Sequence, residues 1–321
     1  MGHADPVFGY FQAFPRQWYA DKNGDIIYGS TTNENKQALA LLAKWYKEGL
    51  IDREFATKDI NASLAAGNSG ITFGPWWVSV SAGLRDSMKN DPTAMWIPIA
   101  PILSKDGFYH VYAPDSEQNW GVVDKSYGYP EAVIMLQNIT ADVTTLAREP
   151  ITNFKTVRSP EVLAVDAYPP GMWSNWPSPI GVQYFNAQVL LSRALVKAVE
   201  QNQTEGFPST TLNEVKQIQS YLAGGTKDFN AWSNTVRYKA KKFMVDMDDR
   251  KKLAELNNYY PATTASMKLL WTDLQTLEIA TFQKIIMGQQ DISTFGDFVN
   301  AWMQKGGKDI LAEINKQYKG K

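Results

Sequence analysis

The residues best suited to surface chemistry in this sequence are aromatic: 11 Trp and 15 Tyr stand beside only two His and no Cys. A pyranose offers an apolar face of C–H groups and a rim of hydroxyls, which a flat ring backed by short amides or carboxylates matches. Trp76 and Trp77 follow Gly74-Pro75, where a short apolar run over residues 69–73 hands over to the first turn of a helix. Strand-to-helix junctions of this kind are where open α/β sheets bind ligands. Trp173 and Trp176 bracket Asn175 within a long loop-rich stretch, residues 148–183. Trp45, at helical spacing with Leu41 and Leu42, reads as core instead.

Other chemistry is thinner. Asp246, Asp248 and Asp249 stand close enough to bind a metal or flank a glycosidic bond, but a solvated helix end paired with Arg250 and Lys251 explains them more simply. Glu278 lies on an otherwise apolar helix and reads as a buried acid paired with backbone or a Lys. Asp21, Asn23 and Asp25 open like a calcium loop, yet Ile26 and Thr32 stand where such a loop needs Gly and Glu, so the segment reads as a tight turn. His110 alternates with aromatics like one face of a strand, which favours packing over catalysis. No nucleophile elbow, phosphate loop, dinucleotide fingerprint or zinc-helix motif occurs. The missing cysteines exclude thiolate metal sites, disulfides and thiol nucleophiles. A net charge of −1 excludes nucleic-acid binding by a broad basic surface. No apolar run approaches the ~18 residues of a membrane span.

The elements that must position these residues can be read from capping and periodicity. An Asn23-Gly24 hairpin spans residues 18–28, and a helix follows over 33–48, stopped by Gly49. A shorter helix covers 58–66, strands are expected over 69–73 and 95–99, and alternation resumes over 109–123, with an interdomain crossing at 114–117. A helix begins at Pro130, and further helices cover 182–201, 212–222, 230–244 and a final set over 263–318. A chain of 321 residues has room for about two domains, at ~100–200 residues each.

In order and spacing, several segments resemble the extracellular family 1 solute-binding proteins of carbohydrate ABC importers, in their long Gram-positive lipoprotein branch. These are residues 35–55, with Leu50-Ile51-Asp52 and Glu54-Phe55; Gly70 to Trp77; Tyr129-Pro130-Glu131-Ala132; and C-terminal pieces including Leu277-Glu278, Lys284 to Gly288 and Glu313-Ile314-Asn315. The resemblance implies an α/β, helix-rich, class II periplasmic-binding-protein-like fold of two hinged lobes. Residues 1–112 and 262–321 would form lobe two, and 113–261 the remainder of lobe one. Members of this branch are longer at the N-terminus, where they carry a signal peptide, a lipidated cysteine and the first elements of lobe one. Lobe one is therefore expected to be incomplete here.

The function so implied is binding of an oligosaccharide between the lobes and its delivery to a membrane permease, without enzyme activity, cofactor, metal or nucleic acid, as a monomer. The full-length form would be extracellular and anchored at the cell surface; this chain shows no signal-peptide pattern. Trp76 would stack on sugar, joined by Trp77 on one lobe and by Trp173, Asn175, Trp176, Trp120 and Asn119 on the other. Trp18 is a further candidate in the early loop. The rival expectations are a carbohydrate-active enzyme using a carboxylate pair near Asp246 or Asp248, and a truncated fragment without a ligand.

Overall fold

The computed structural model of the chain describes residues 4–75, 77–100, 102–112, 123–135, 187–205, 207 and 209–318. Two compact units divide the chain: one combines Met1–Trp96, Ala100–Asp115 and Asp249–Lys321, the other Ile97–Ile99 and Ser116–Asp248.

The first unit opens with the short helix α1 (Asp5–Tyr10) and the hairpin β1 (Trp18–Ala20) and β2 (Ile26–Tyr28), paired Trp18 to Tyr28 and Ala20 to Ile26. Its turn forms because Asp21 Oδ1 accepts the N–H groups of Asn23 (2.8 Å) and Asp25 (3.0 Å), while Gly24 supplies a left-handed φ of 82°. The carboxylate that suggested a calcium loop is thus spent on the backbone of its own turn. Helix α2 (Asn33–Lys47) starts where the Thr32 hydroxyl accepts the Asn35 N–H and buries Ala38, Leu39 and Leu42 on one face, with Trp45 packed at its margin. Asp59 caps α3 (Ile60–Ala65) and Ser81 caps α4 (Ala82–Asn90).

Neither of the strands expected over 69–73 and 95–99 forms. Both segments are apolar, but no described strand pairs with them, and a strand exists only through its ladder. Ile71, Met95, Ile97 and Ile99 remain exposed. Strand β3 (Tyr109–Tyr112) does form, because the chain returns 144 residues later, Leu253 opposite Tyr109, as β4 (Leu253–Leu256) to pair with it in parallel. Next comes β5 (Asn258–Tyr259), which adds to β1 in a three-stranded antiparallel sheet of order β2-β1-β5. These two strands belong to the first unit.

The second unit is helical in its described part: residues 132–135 start a helix after Pro130, followed by α5 (Ala187–Gln201), α6 (Ser209–Leu222) and α7 (Phe229–Asp249). Leu195, Val196 and Val199 of α5 pack with Val215, Ile218, Tyr238 and Val245 as its core. Helix α7 runs five residues past its expected end, so Asp246, Asp248 and Asp249 form its last turn.

The chain closes with α8 (Ala265–Ile286), α9 (Phe295–Trp302) and α10 (Lys308–Tyr318), whose apolar faces share one core with α1, α2 and the hairpin. At its centre Trp302 stacks on Tyr28, with centroids 5.0 Å apart and planes at 12°. A kink between α9 and α10 makes room for that indole. A Cβ on Gly307 would lie 2.1 Å from its Cε3 atom, so only glycine fits. Asn315 seals the outer edge of β2, its Oδ1 accepting the Ile26 N–H (2.8 Å) and its Nδ2 donating to the Ile26 carbonyl (2.9 Å), as a neighbouring strand would.

Candidate functional site

Of the tryptophans marked for sugar contact, Trp77 is the one whose ring reaches solvent in the described structure, at 49% exposure. Pro75 does not start a helix as expected. Its carbonyl accepts the Val78 N–H (2.8 Å), and Trp77 leads into a single 3-10 turn, Val78–Val80, ahead of Ser81 and α4. Half of the Trp77 surface is thus available to a ligand. Trp76, Trp120, Asn119, Trp173, Asn175 and Trp176 lie outside the described residues.

Trp18 is placed elsewhere. At 6% exposure it packs against Tyr28 (4.6 Å between centroids) and Trp271 (5.6 Å), so its faces are covered by protein. The β1–β2 pairing turns it inward, and it serves the core.

The acids resolve individually. Asp248 is held by the Arg193 guanidinium of α5 at 2.7 Å, a partner 55 residues away and not its neighbours Arg250 or Lys251. Glu278 is fully buried, as expected, but its partners are two hydroxyls: Tyr28 donates to Oε2 (2.8 Å) and Ser30 to Oε1 (2.9 Å). Burial pushes its carboxyl up, against the pull of those two donors and the charge of Arg16. His110 is packed beside Phe14 and Phe108, its Nε2 meeting Asp106 Oδ2 at 2.8 Å. The Ser104 hydroxyl, followed by the Phe108 N–H and His110, brings the Asp106 carboxyl down to about 2.

A cavity of about 280 Å³, which the sequence did not foretell, lies within the first unit between α1, the loop after it and β3. Asp5, Phe8, Phe14, Pro15, Tyr109 and Tyr112 line it. Tyr112 points its hydroxyl at Asp5 Oδ1 (3.4 Å); burial, then the Asp5 carboxylate, push the phenol up to about 12. The Tyr109 N–H donates to the Lys252 carbonyl (2.8 Å), so the backbone groups of His110 and Tyr112 face away from β4. The His110 carbonyl oxygen duly lies toward Gly9 of α1, 3.1 Å from where a Cβ on that residue would stand. The only sequence signal for this site was the aromatic alternation of 109–112; its carboxylate comes from a helix 107 residues earlier.

Among the described residues no group of three or more His, Asp or Glu could hold a metal, and no helix is long and apolar enough to cross a membrane.

Comparison with protein-family models gives no match, and comparison with curated protein sequences gives none. Among solved structures, the chain is similar to the crystal structure of the alginate-binding protein AlgQ2 without calcium ion, with a TM-score of 0.56 and 17% identity. That match covers 99% of this chain and 62% of the other, so the chain spans less than two thirds of its neighbour's length. At this identity the likeness concerns architecture, and it establishes that this helix-rich α/β chain has the class II periplasmic-binding-protein-like fold.

Proposed function

We propose that the chain is a carbohydrate-binding component of an ABC importer, which holds its ligand without altering a bond and presents it to a membrane permease from outside the cytoplasm. The observation that carries this reading is the fold likeness over 99% of the chain to a protein named for alginate binding. The half-exposed Trp77 supports it from the chain's own chemistry. In this reading Trp76, Trp77, Trp120, Trp173 and Trp176 supply stacking faces, and Asn119 and Asn175 supply amides for the hydroxyl rim. Asp248, engaged by Arg193, is a structural acid and not half of a hydrolytic pair. The family 1 assignment, the lipoprotein anchor and the monomeric state are parts of the same proposal.

The test is thermal unfolding of the chain against a panel of neutral and acidic oligosaccharides. A ligand that binds only the folded state stabilises it by ~2.7 kcal/mol at a hundredfold over its dissociation constant. A rise in melting temperature for particular sugars, with the sugar recovered intact, is the expected result. No rise with any sugar, at concentrations a hundredfold above a millimolar Kd, would refute the reading.

A further inference from the structure

The cavity between α1 and β3 plays no part in the reading above, and three features of it point to a ligand. The first is the loop that forms its floor. Gln12 (φ 57°) and Arg16 (φ 66°) flank Phe14 and Pro15, and both adopt the left-handed backbone conformation that side chains other than glycine avoid. Each is fastened: Gln12 Nε2 donates to Asp106 (3.1 Å), and the Arg16 N–H donates to Ser30 Oγ (2.8 Å), which in turn donates to the buried Glu278. Such conformations persist where the surroundings over-determine them, and they gather at ligand clamps.

The second feature is the balance of polar groups. Asp5 offers an acceptor beside the Tyr112 hydroxyl, no Lys or Arg lines the cavity, and among the described residues no ion pair holds Asp5. A ligand carrying carboxylate or sulfate would meet the Asp5 charge with no cation in the lining, Arg16 acting on Tyr112 only from beyond it, whereas hydroxyl donors are wanted. The third is size and lining: about 280 Å³, walled by Phe8, Phe14, Pro15 and Tyr109. That is below the ~300–1,000 Å³ of drug-sized sites and suits a single ring whose C–H face rests on apolar walls.

We infer that this cavity is a subsite for one neutral pyranose ring, with Asp5 accepting two of its hydroxyls and Tyr112 orienting the carboxylate. The inference rests on the carbohydrate-binding reading and deepens it, because it makes the preferred ligand neutral at this subsite and not a uronate.

Calorimetric titration of the whole chain tests it, using neutral glucose, mannose and galactose trisaccharides alongside an alginate trisaccharide, with Asp5→Asn, Tyr112→Phe and Trp77→Ala as variants. Asp5 is exposed, so Asp5→Asn should melt at the wild-type temperature. The expected result is a neutral sugar bound by the wild type whose Kd rises at least tenfold in Asp5→Asn and at least threefold in Tyr112→Phe. A sugar whose affinity falls in Trp77→Ala but is unmoved in both Asp5→Asn and Tyr112→Phe overturns the subsite and leaves carbohydrate binding standing. Tighter binding of the alginate trisaccharide than of every neutral sugar also overturns it. A wild type that binds no saccharide of the panel overturns the subsite together with the functional reading beneath it.

Discussion

Replacing Tyr28 by Phe removes a single oxygen from the centre of the first unit. That oxygen donates to Glu278 Oε2 at 2.8 Å, leaving Ser30 as the remaining hydroxyl donor to a carboxyl group that is 1% exposed. A hydrogen bond to an ionised group contributes ~1.5–3 kcal/mol, and one to a neutral group ~0.5–1.5 kcal/mol. The cost of Tyr28→Phe should therefore depend on whether Glu278 is charged. Because burial raises the folded pKa of Glu278, its neutral form is favoured in the native state, and this contribution to stability is present below the unfolded pKa and lost as pH rises through the folded one. The Tyr28 donor works against that shift, so deleting it moves the folded pKa further up and deepens the loss at high pH. Urea unfolding of wild type and Tyr28→Phe between pH 4 and 9, followed by tryptophan fluorescence, should give a difference of ~0.5–1.5 kcal/mol at the acid end, growing to ~1.5–3 kcal/mol at the alkaline end. In a Glu278→Leu background, where the acceptor is gone, the same substitution should cost less than in the wild type. A difference that stays level or shrinks with rising pH would refute the assignment of Tyr28 as a donor to a titrating carboxyl.

Gly307→Ala should destabilise the chain by ~1–3 kcal/mol, read as a lower melting temperature, because its methyl would enter the volume of the Trp302 ring 2.1 Å away. Trp77→Ala should weaken binding of a carbohydrate ligand by ~1–3 kcal/mol in calorimetry, by analogy with stacking on other ring systems; equal affinities would assign Trp77 no contact. The folded pKa of Asp106, about 2, is depressed, so its contribution is present above its unfolded value and lost as pH falls toward 2. Acid titration of Asp106→Asn, followed by circular dichroism, should accordingly show less loss of stability between pH 4 and 2 than the wild type.

Local signals carried much of the fold. Asn23-Gly24 announced the hairpin, Gly49 announced the end of α2, and proline ahead of residues 132–135 announced a helix start. What failed was whatever depends on a distant partner. The apolar runs at 69–73 and 95–99 have strand composition, but composition does not supply a neighbour to bond with. Pairing of β3 with β4 and of β5 with β1 joins segments far apart in the chain, beyond any periodicity. The same limit governed the side chains. Trp18 and Trp77 are alike as residues, yet the hairpin register buries one and the 3-10 turn exposes the other. Asp248 could be recognised as an acid but not as the partner of Arg193. The Asp5 carboxylate gave no signal at all, because the cavity around it is completed by a strand about a hundred residues later.

The sheet β2-β1-β5 also sets a timetable for the chain's own synthesis. Trp18, Tyr28 and Leu39 leave the ribosome well before the groups that cover them, Tyr259, Trp271, Glu278 and Trp302, which follow more than 200 residues later. At ~5–20 residues per second that interval is on the order of ten seconds to a minute, during which the aromatic half-core has no lid. The described helices of the second unit lie wholly within this interval and can settle before the first unit is completed. Throughout that interval the hairpin and α2 are the surfaces most exposed to aggregation and to chaperone capture, and they are released from both only when α8 to α10 emerge to cover them.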